Sequence, residues 1–290
     1  MSVLIQLLVS GTSVGMVYAV VAFGFQMTFA TSRTINFGQG EALMLGALVG
    51  LAILPYSGYW LALPLVMLFG LCQGIVVERL AVAKAIAAKS EFGWVMATIA
   101  LGVIFKNVAE NIWGRDDRKF PSPLPELPIS LGTVKVLPME IAIAVGALAM
   151  MLVVELFNRH TIWGKAVVAT ANDSEAAGLM GIHTTRMVTL SYAVSSMVAA
   201  FGGVLVAPLT LTGARMGSTL ALKAFAVAII GGLSSGLGVI IGGPLLGISE
   251  KLTGYYLATG YSDVPGLIIV LVILSIRPDG LLGRRAIKKV

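Results

Sequence analysis

The stretch VLIQLLVSGTSVGMVYAVVAFGFQMTFA, residues 3–30, contains no charged side chain. A helix needs about 20 apolar residues to cross ~30 Å of hydrocarbon, so this stretch is long enough to span a membrane. Of the 290 residues in the chain, 57% are hydrophobic and 12% charged, and the mean hydropathy is +0.93. Soluble domains are about half apolar and a quarter charged. Lipid accommodates apolar side chains that face outward, and the composition therefore predicts a polytopic membrane protein.

Nine apolar segments follow one another along the chain. Their approximate ranges are 3–30, 41–55, 59–78, 92–113, 138–157, 187–211, 219–233, 237–258 and 263–277. The sequence PYSG at 55–58 predicts a tight turn, and the proline-rich run at 114–138 cannot continue a helix and favours extended backbone. We expect an all-α polytopic transmembrane helical bundle in a single domain over 1–290. It should have about 8–10 membrane segments, at least one of them broken or re-entrant.

Lysine and arginine are distributed unevenly among the loops. Twelve of them lie in the loops 79–91 and 158–186, at the C-terminus and at the end of the first segment: Arg33, Arg79, Lys84, Lys89, Arg159, Lys165, Arg186, Arg277, Arg284, Arg285, Lys288 and Lys289. The opposite loops contain five: Arg115, Arg118, Lys119, Lys135 and Arg215. Positive residues concentrate on the cytoplasmic side. We therefore expect loop 158–186 and the C-terminus in the cytoplasm, loop 114–138 outside, and no nucleic-acid partner.

Glycine is frequent, with 34 copies, and several pairs have small-xxx-small spacing. The pairs are Gly11/Gly15, Gly46/Gly50, Gly232/Gly236, Gly238/Gly242 and Gly243/Gly247. This spacing lets two helix backbones approach closely in lipid, and we interpret the glycine-rich run at 231–247 as close packing. A phosphate loop is excluded because the chain has no G-x-x-x-x-G-K-[ST] motif. The single cysteine, Cys72, cannot form an internal disulfide and is expected to be buried.

The motif INFGQGE at 35–41 lies between two apolar segments. It combines Asn36, Gln39 and Glu41 with two glycines. Glycines weaken a membrane helix, and the freed backbone groups and side-chain amides must then face protein or water. Broken helices of this kind form substrate sites in transporters. An ordinary polar turn at the cytoplasmic surface, with Glu41 as a favourable early-turn acid, explains the pattern equally well.

The loop at 164–187 carries the signals of one short helix. Asp173 and Ser174 suit an N-cap, residues 175–180 favour a helix, and Gly181 suits a C-cap. A helix this short needs something to pack against. On the pattern alone, both the membrane surface and a partner protein are candidates.

Five charged residues lie near membrane depth: Lys106, Glu110, Lys223, Glu250 and Lys251. Lys106 and Glu110 have the i, i+4 spacing of a pair within one helix. Lys223 is isolated in its apolar run, where a lysine either extends to the interface or serves a function. Neither H-E-x-x-H nor C-x-x-C occurs in the chain. We therefore expect no catalytic residue, metal or cofactor.

Five segments together resemble the H-type membrane subunit of the high-affinity branched-chain amino acid ATP-binding-cassette (ABC) importers. They are INFGQGE at 35–41, ANDSEAAGLMGI at 171–182, LKAFAVAIIGG at 222–232, the glycine-rich run after it, and RPDGLLGR at 277–284. They occur in the family's order, and the similarity spans essentially the whole chain. The outer loop at 114–138 matches no family motif, so contacts with a binding protein are not carried over.

The resemblance implies a permease that forms half of a translocation pathway in the bacterial inner membrane. The implied partners are a homologous M-type permease, two cytoplasmic ATPase subunits and a periplasmic substrate-binding protein. The segment SEAAGLMGI is similar to the family's coupling helix, which implies ATPase contacts for Asp173, Glu175, Ala176, Ala177, Gly178, Gly181 and Ile182. The residues expected along the pathway are Asn36, Phe37, Gly38, Gln39, Gly40, Glu41, Lys223 and Phe225.

Two alternatives stay open. A single-chain secondary transporter would need a coupling-ion or proton site built from carboxylates at mid-membrane. Glu41, Glu110 and Glu250 are the candidates, although none lies in the middle of its segment. Related ABC permeases carry urea, amides or small organic acids, so the resemblance favours a branched-chain or other small amino acid without deciding the substrate.

Overall fold

The computed structural model describes residues 2–88, 92–131 and 134–283, most of which are helical. The helices are α1 (Ser2–Ser32), α2 (Gln39–Val77), α3 (Ala83–Ala87), α4 (Gly93–Trp113), α5 (Pro138–His160), α6 (Ile162–Asn172), α7 (Ser174–Leu179), α8 (Thr184–Val206), α9 (Met216–Gly231), α10 (Gly236–Tyr256) and α11 (Val264–Ile276). A π-helical turn, Glu78–Val82, joins α2 to α3, and a 3-10 turn, Thr259–Tyr261, precedes α11. The short strands are β1 (Arg118–Lys119), β2 (Ile129–Leu131), β3 (Val134–Val136) and β4 (Leu211–Thr212).

The predicted helical bundle is confirmed, and every apolar segment lies wholly or largely in a helix. Long apolar runs form helices because a helix satisfies its own backbone hydrogen bonds in lipid. Helix α6 was not expected. It begins where Thr161 Oγ1 accepts a hydrogen bond from Gly164 N at 2.9 Å, as an N-cap does.

Helix α2 is a helical hairpin, which confirms the turn predicted at 55–58. Gly58 has φ 68° and ψ 167°, a conformation that side chains other than glycine rarely adopt. Before Gly58 the chain runs parallel to α8, because Gly46 lies against Ala200 and Gly50 against Val204. After Gly58 the chain runs antiparallel to α8, because Gly70 lies against Ala200 and Gly74 against Tyr192. Two antiparallel arms, 39–57 and 59–77, therefore pack against α8.

Six helices of the described chain are long and apolar enough to cross a membrane. They are Val3–Ser32, Gln39–Ala87, Gly93–Trp113, Pro138–His160, Thr184–Val206 and Thr259–Ile276. The second comprises 49 residues, and at 1.5 Å per residue it covers ~30 Å twice. In α8, 72% of the most apolar stretch is buried, compared with 6% in the last helix. Helix α8 therefore lies at the centre of the bundle.

Glycine pairs bring α1 and α10 together. A Cβ atom added to Gly15 or Gly243 would collide with the backbone of the other residue, and Gly11 and Gly247 meet in the same way one turn along. The small-xxx-small spacing of Gly11/Gly15 and Gly243/Gly247 thus marks a backbone contact, as predicted.

The proline-rich loop between α4 and α5 contains short extended segments and no helix among its described residues, as its composition predicts. Strands β2 and β3 form an antiparallel hairpin, and β1 pairs with β4 from the connection between α8 and α9. Cys72 was expected to be buried, but it is exposed on the second arm of α2. Lys89 and the C-terminal cluster from Arg284 to Lys289 lie outside the described residues, and the charge asymmetry between the two sides of the membrane stays a prediction.

Candidate functional site

The INFGQGE motif forms a break between two helices. Helix α1 ends at Ser32 and α2 begins at Gln39. Within the break, Asn36 Oδ1 accepts from Gly38 N at 3.0 Å, and Asn36 Nδ2 donates to Gln39 Oε1 at 3.3 Å. The asparagine therefore satisfies backbone and side-chain groups that the interrupted helix leaves without partners.

Gln39 anchors the break to the centre of the bundle. Its Nε2 donates to Ser195 O on α8 at 3.0 Å, and Ser195 Oγ donates to Gly24 O on α1 at 2.8 Å. The side chains of Asn36 and Gln39 are both 0% exposed. The two amides of the motif thus face protein, one of the two environments expected for them. Ser195 and Gly24 belong to segments far from the motif in the sequence, so no local pattern predicts that they bind and position Gln39.

Phe37 projects from the break into a small aromatic cluster. Its ring centroid lies 6.2 Å from Trp94 on α4, with the rings nearly parallel, and 5.8 Å from Phe225 on α9. Phe225 in turn lies edge-on to Phe25 of α1 at 5.7 Å. Phe37 is half-buried, and the break is therefore adjacent to Phe225, one of the predicted pathway residues.

The glycines of the motif allow close approach to neighbouring helices. A Cβ on Gly217 of α9 would lie 2.5 Å from Gly40 O, so the two backbones are in direct contact. Gly38 has more room, since its Cβ would lie 3.2 Å from Asn36 Oδ1. One turn further, the Glu41 carboxylate is close to Gly102 of α4. The motif therefore lies between α4, α8 and α9.

Lys223 is not isolated, contrary to what its apolar run suggests. Its Nζ lies 3.1 Å from Glu250 Oε1 on α10 and 2.8 Å from Asp263 Oδ1 before α11. Tyr18 on α1 donates through its hydroxyl to Glu250 Oε2 at 2.9 Å. We call these four residues the ion-pair cluster. It ties α1, α9, α10 and the start of α11 together, an arrangement typical of charges retained inside membranes.

The pair expected between Lys106 and Glu110 is wrong. Glu110 Oε2 instead lies 3.1 Å from Arg115 Nε, beyond the end of α4. The Glu41 carboxylate lies at Gly102, one helical turn before Lys106 on the same face of α4. The i, i+4 spacing allows a contact, but packing against α2 brings a second carboxylate near the lysine.

The predicted loop helix is present as α7 and is capped at both ends. Asp173 Oδ1 accepts from Ala176 N at 3.0 Å. Gly181 has φ 85°, and Ile182 N donates to Ala177 O at 3.0 Å, as in a Schellman motif. The caps predicted from Asp173 and Gly181 are thus confirmed.

The surface of α7 is unusual for a polar loop. Leu179 is 90% exposed and Met180 is 84% exposed, whereas Ala177 is buried against the chain. Glu175 and Gly178 are exposed beside them. Two neighbouring apolar side chains therefore project away from the domain at the end of a well-capped helix.

The turn between α9 and α10 contains the sequence GLSSG at 232–236, which has the G-x-S-x-G spacing of a hydrolase nucleophile. That motif requires a strand before the serine, whereas this turn joins two helices. The serine at the nucleophile position is Ser234; its neighbour Ser235 caps α10, where Ser235 Oγ accepts from Gly238 N at 3.2 Å. Among the described residues, no group of His, Cys, Asp and Glu side chains is arranged to hold a metal. The turn is therefore a packing element.

A family described as "Branched-chain amino acid transport system / permease component" matches residues 7–275. The high-affinity branched-chain amino acid permease LivH of Escherichia coli K12 is 28% identical over 99% of this chain and 97% of its own length. BraD of Pseudomonas aeruginosa, named likewise, is 28% identical over 99% of this chain and 98% of its own.

A third relative comes from Methanocaldococcus jannaschii. Its probable branched-chain amino acid permease LivH is 30% identical over 90% of this chain and 87% of its own length. No solved structure matches the chain significantly.

Proposed function

The chain belongs to the family of branched-chain amino acid transport permeases, and from that premise we propose that it forms half of the translocation pathway of an ABC importer. The proposed substrates are branched-chain or other small amino acids, as the names of the relatives suggest. The observation that carries the proposal is a family match over residues 7–275, in a helical bundle whose capped loop helix projects two apolar side chains.

Energy must come from another chain. The sequence contains no G-x-x-x-x-G-K-[ST] motif with which to hold nucleotide phosphates. We therefore infer two ATPase subunits in the cytoplasm, a homologous second permease beside this one and a periplasmic binding protein that delivers the substrate. This arrangement places the chain in the bacterial inner membrane, with loop 158–186 and the C-terminus in the cytoplasm.

Helix α7 is the proposed contact with the ATPase. Its two caps make it rigid, so force applied to it is transmitted rather than absorbed by unwinding. Leu179 and Met180 supply apolar anchors of the kind that fill a partner's pocket. The predicted contact residues Asp173, Glu175, Ala176, Ala177, Gly178, Gly181 and Ile182 support or surround them.

The proposed pathway passes beside the break in the helix. Phe37 and Glu41 are partly exposed and available to a solute, whereas Asn36 and Gln39 hold the break in shape from inside the protein. Gly40 lets α9 approach closely, and Gly38 lies beside Asn36 within the break. Phe225 contacts Phe37 and belongs to the same region. In the ion-pair cluster, Lys223 points toward α10. This contact favours a role for Lys223 in joining helices.

Affinity purification of this chain from cells that express the whole operon tests the proposal. We expect an ATPase and a second permease to co-purify with the wild type. In Leu179→Asp, ATPase recovery and substrate uptake should both fall by at least about tenfold, because the new carboxylate would be buried without a partner in an apolar contact. The thermal stability of the membrane domain should not change, since Leu179 is 90% exposed.

Leu127→Asp is the matched control. Leu127 is 79% exposed, in the loop on the opposite side of the domain, and its replacement should leave the ATPase bound. Normal ATPase recovery with Leu179→Asp would exclude α7 as the docking element. Purification of this chain without any ATPase would argue against the importer itself.

A further inference from the structure

One face of α4 is polar over its last two turns. Lys106, Asn107, Glu110 and Asn111 occupy positions i, i+1, i+4 and i+5, which are neighbours on a helix surface. Both asparagines are exposed, and the two charged residues are partly exposed. Only 17% of the most apolar stretch of α4 is buried within this chain. Something outside the chain must therefore cover this face.

The two asparagines are only partly satisfied. Asn107 Nδ2 donates to Val103 O at 2.8 Å, and Asn111 Nδ2 donates to Asn107 O at 2.8 Å. Within the described part of the chain, neither amide oxygen accepts a hydrogen bond. Two acceptors therefore remain on the helix surface, and such groups need water or a polar partner.

Hydrocarbon is an unfavourable environment for this face. A lysine can extend its charge to the membrane interface, but an asparagine side chain is too short to do so. Asn107 lies six residues before the end of α4 at Trp113, roughly 9 Å along the helix axis. Exposed amides at that depth are costly in lipid and are retained mainly where a cavity or a partner solvates them.

The polar face is continuous with the break in the helix. Phe37 stacks on Trp94 near the start of α4, and Glu41 lies at Gly102 near its middle. Lys106 follows one turn later on the same face of α4. Contacts from the INFGQGE motif thus lead along α4 toward its polar end, where α4 meets the outer loop.

We propose that the polar face of α4, with Glu41, lines the outer part of the water-filled path through which a small zwitterionic solute passes. The lining carries both signs of charge: the Glu41 carboxylate lies at Gly102, one helical turn from Lys106, and Glu110 pairs with Arg115 beyond the end of α4 at 3.1 Å. A lining with both signs of charge offers contacts to the ammonium and the carboxylate group of one solute, whereas a lining of one sign favours an ion of the opposite charge. The inference rests on the proposed function, since a path presupposes a transporter.

Thiol labelling tests the proposal in the assembled transporter. In a Cys72→Ser background, Asn107→Cys and Asn111→Cys are compared with Val108→Cys and Ile112→Cys. The control positions follow the asparagines directly and are 46% and 64% exposed. The probe is a membrane-impermeant cationic methanethiosulfonate. We expect the two asparagine positions to react at least about tenfold faster, because only a hydrated thiol forms the reactive thiolate. Their modification should also stop leucine uptake.

Three outcomes would overturn the proposal. Equal rates at all four positions would place the face in bulk water or at the lipid headgroups, and labelling without loss of uptake would exclude the path. No reaction at either asparagine position would indicate a dry contact with the second permease.

The double variant Asn107→Leu/Asn111→Leu provides a second measurement. It should assemble with its ATPase but transport at least about tenfold more slowly, since it removes two of the polar groups that replace hydration of the solute. Unchanged uptake would contradict the proposal. If the Cys72→Ser complex showed no ATP-driven uptake at all, the proposed function would fail, whereas the labelling contrast would still decide whether water reaches α4.

Discussion

Replacing Lys223 by methionine is expected to lower the free energy of unfolding by about 3 kcal/mol, because it leaves a buried carboxylate without its cation. The side chain of Glu250 is 9% exposed, and Lys223 Nζ lies 3.1 Å from it. Tyr18 would still donate one hydrogen bond to Glu250, which is not enough to replace a positive charge. Thermal unfolding of the purified complex in detergent measures the loss.

Two further variants separate the contributions of the cluster. Asp263→Asn should cost less than about 1 kcal/mol, because the Asp263 side chain is 68% exposed. Lys223→Met/Glu250→Gln should recover most of the stability lost in Lys223→Met, since it removes the unpaired charge. Equal losses for Lys223→Met and Asp263→Asn would show that the cluster does not join the helices as described.

Gly40→Val is expected to prevent stable assembly of the membrane domain. A Cβ on Gly40 would lie 2.6 Å from Ala221 Cβ and overlap the carbonyl oxygen of Gly217. Overpacking of this kind costs about 1–3 kcal/mol, and more where backbone rather than a flexible side chain must move. The yield of monodisperse protein and its unfolding temperature give the readout.

Gly254→Val is the matched control for this substitution. Gly254 is also helical, but no atom lies within 4 Å of where its Cβ would be. This variant should purify normally. Similar losses at positions 40 and 254 would mean that the contact between α2 and α9 is not close, and the position of the break beside α9 would need revision.

The helices were predictable because hydrocarbon leaves a long apolar run little choice of structure. The turn at Gly58 and the caps at Asp173 and Gly181 were predictable for a similar reason. Each depends on a local rule about which residue tolerates a backbone conformation or satisfies a free N–H group. Helix α6 was missed, although Thr161 offered an N-cap signal.

The partners of polar groups across helices were not predictable from one sequence. Lys223 and Glu250 lie on different helices, and no spacing rule joins them. The i, i+4 spacing of Lys106 and Glu110 was also misleading, because the packing of α2 against α4 places Glu41 on the same face of α4 as Lys106. Gln39 was expected to face protein or water, but its acceptor, the carbonyl of Ser195, is 156 positions away. Such contacts depend on the packing of whole helices, which only the folded structure reveals.

Uptake into proteoliposomes tests the central claim most directly. Vesicles containing the complete complex are loaded with ATP on the ATPase side, and the binding protein and labelled leucine are supplied on the other. We expect leucine to accumulate only when ATP and the binding protein are both present, and Leu179→Asp vesicles to remain near background. Accumulation by this chain alone, driven by a proton or sodium gradient without ATP, would contradict the importer and establish a secondary transporter.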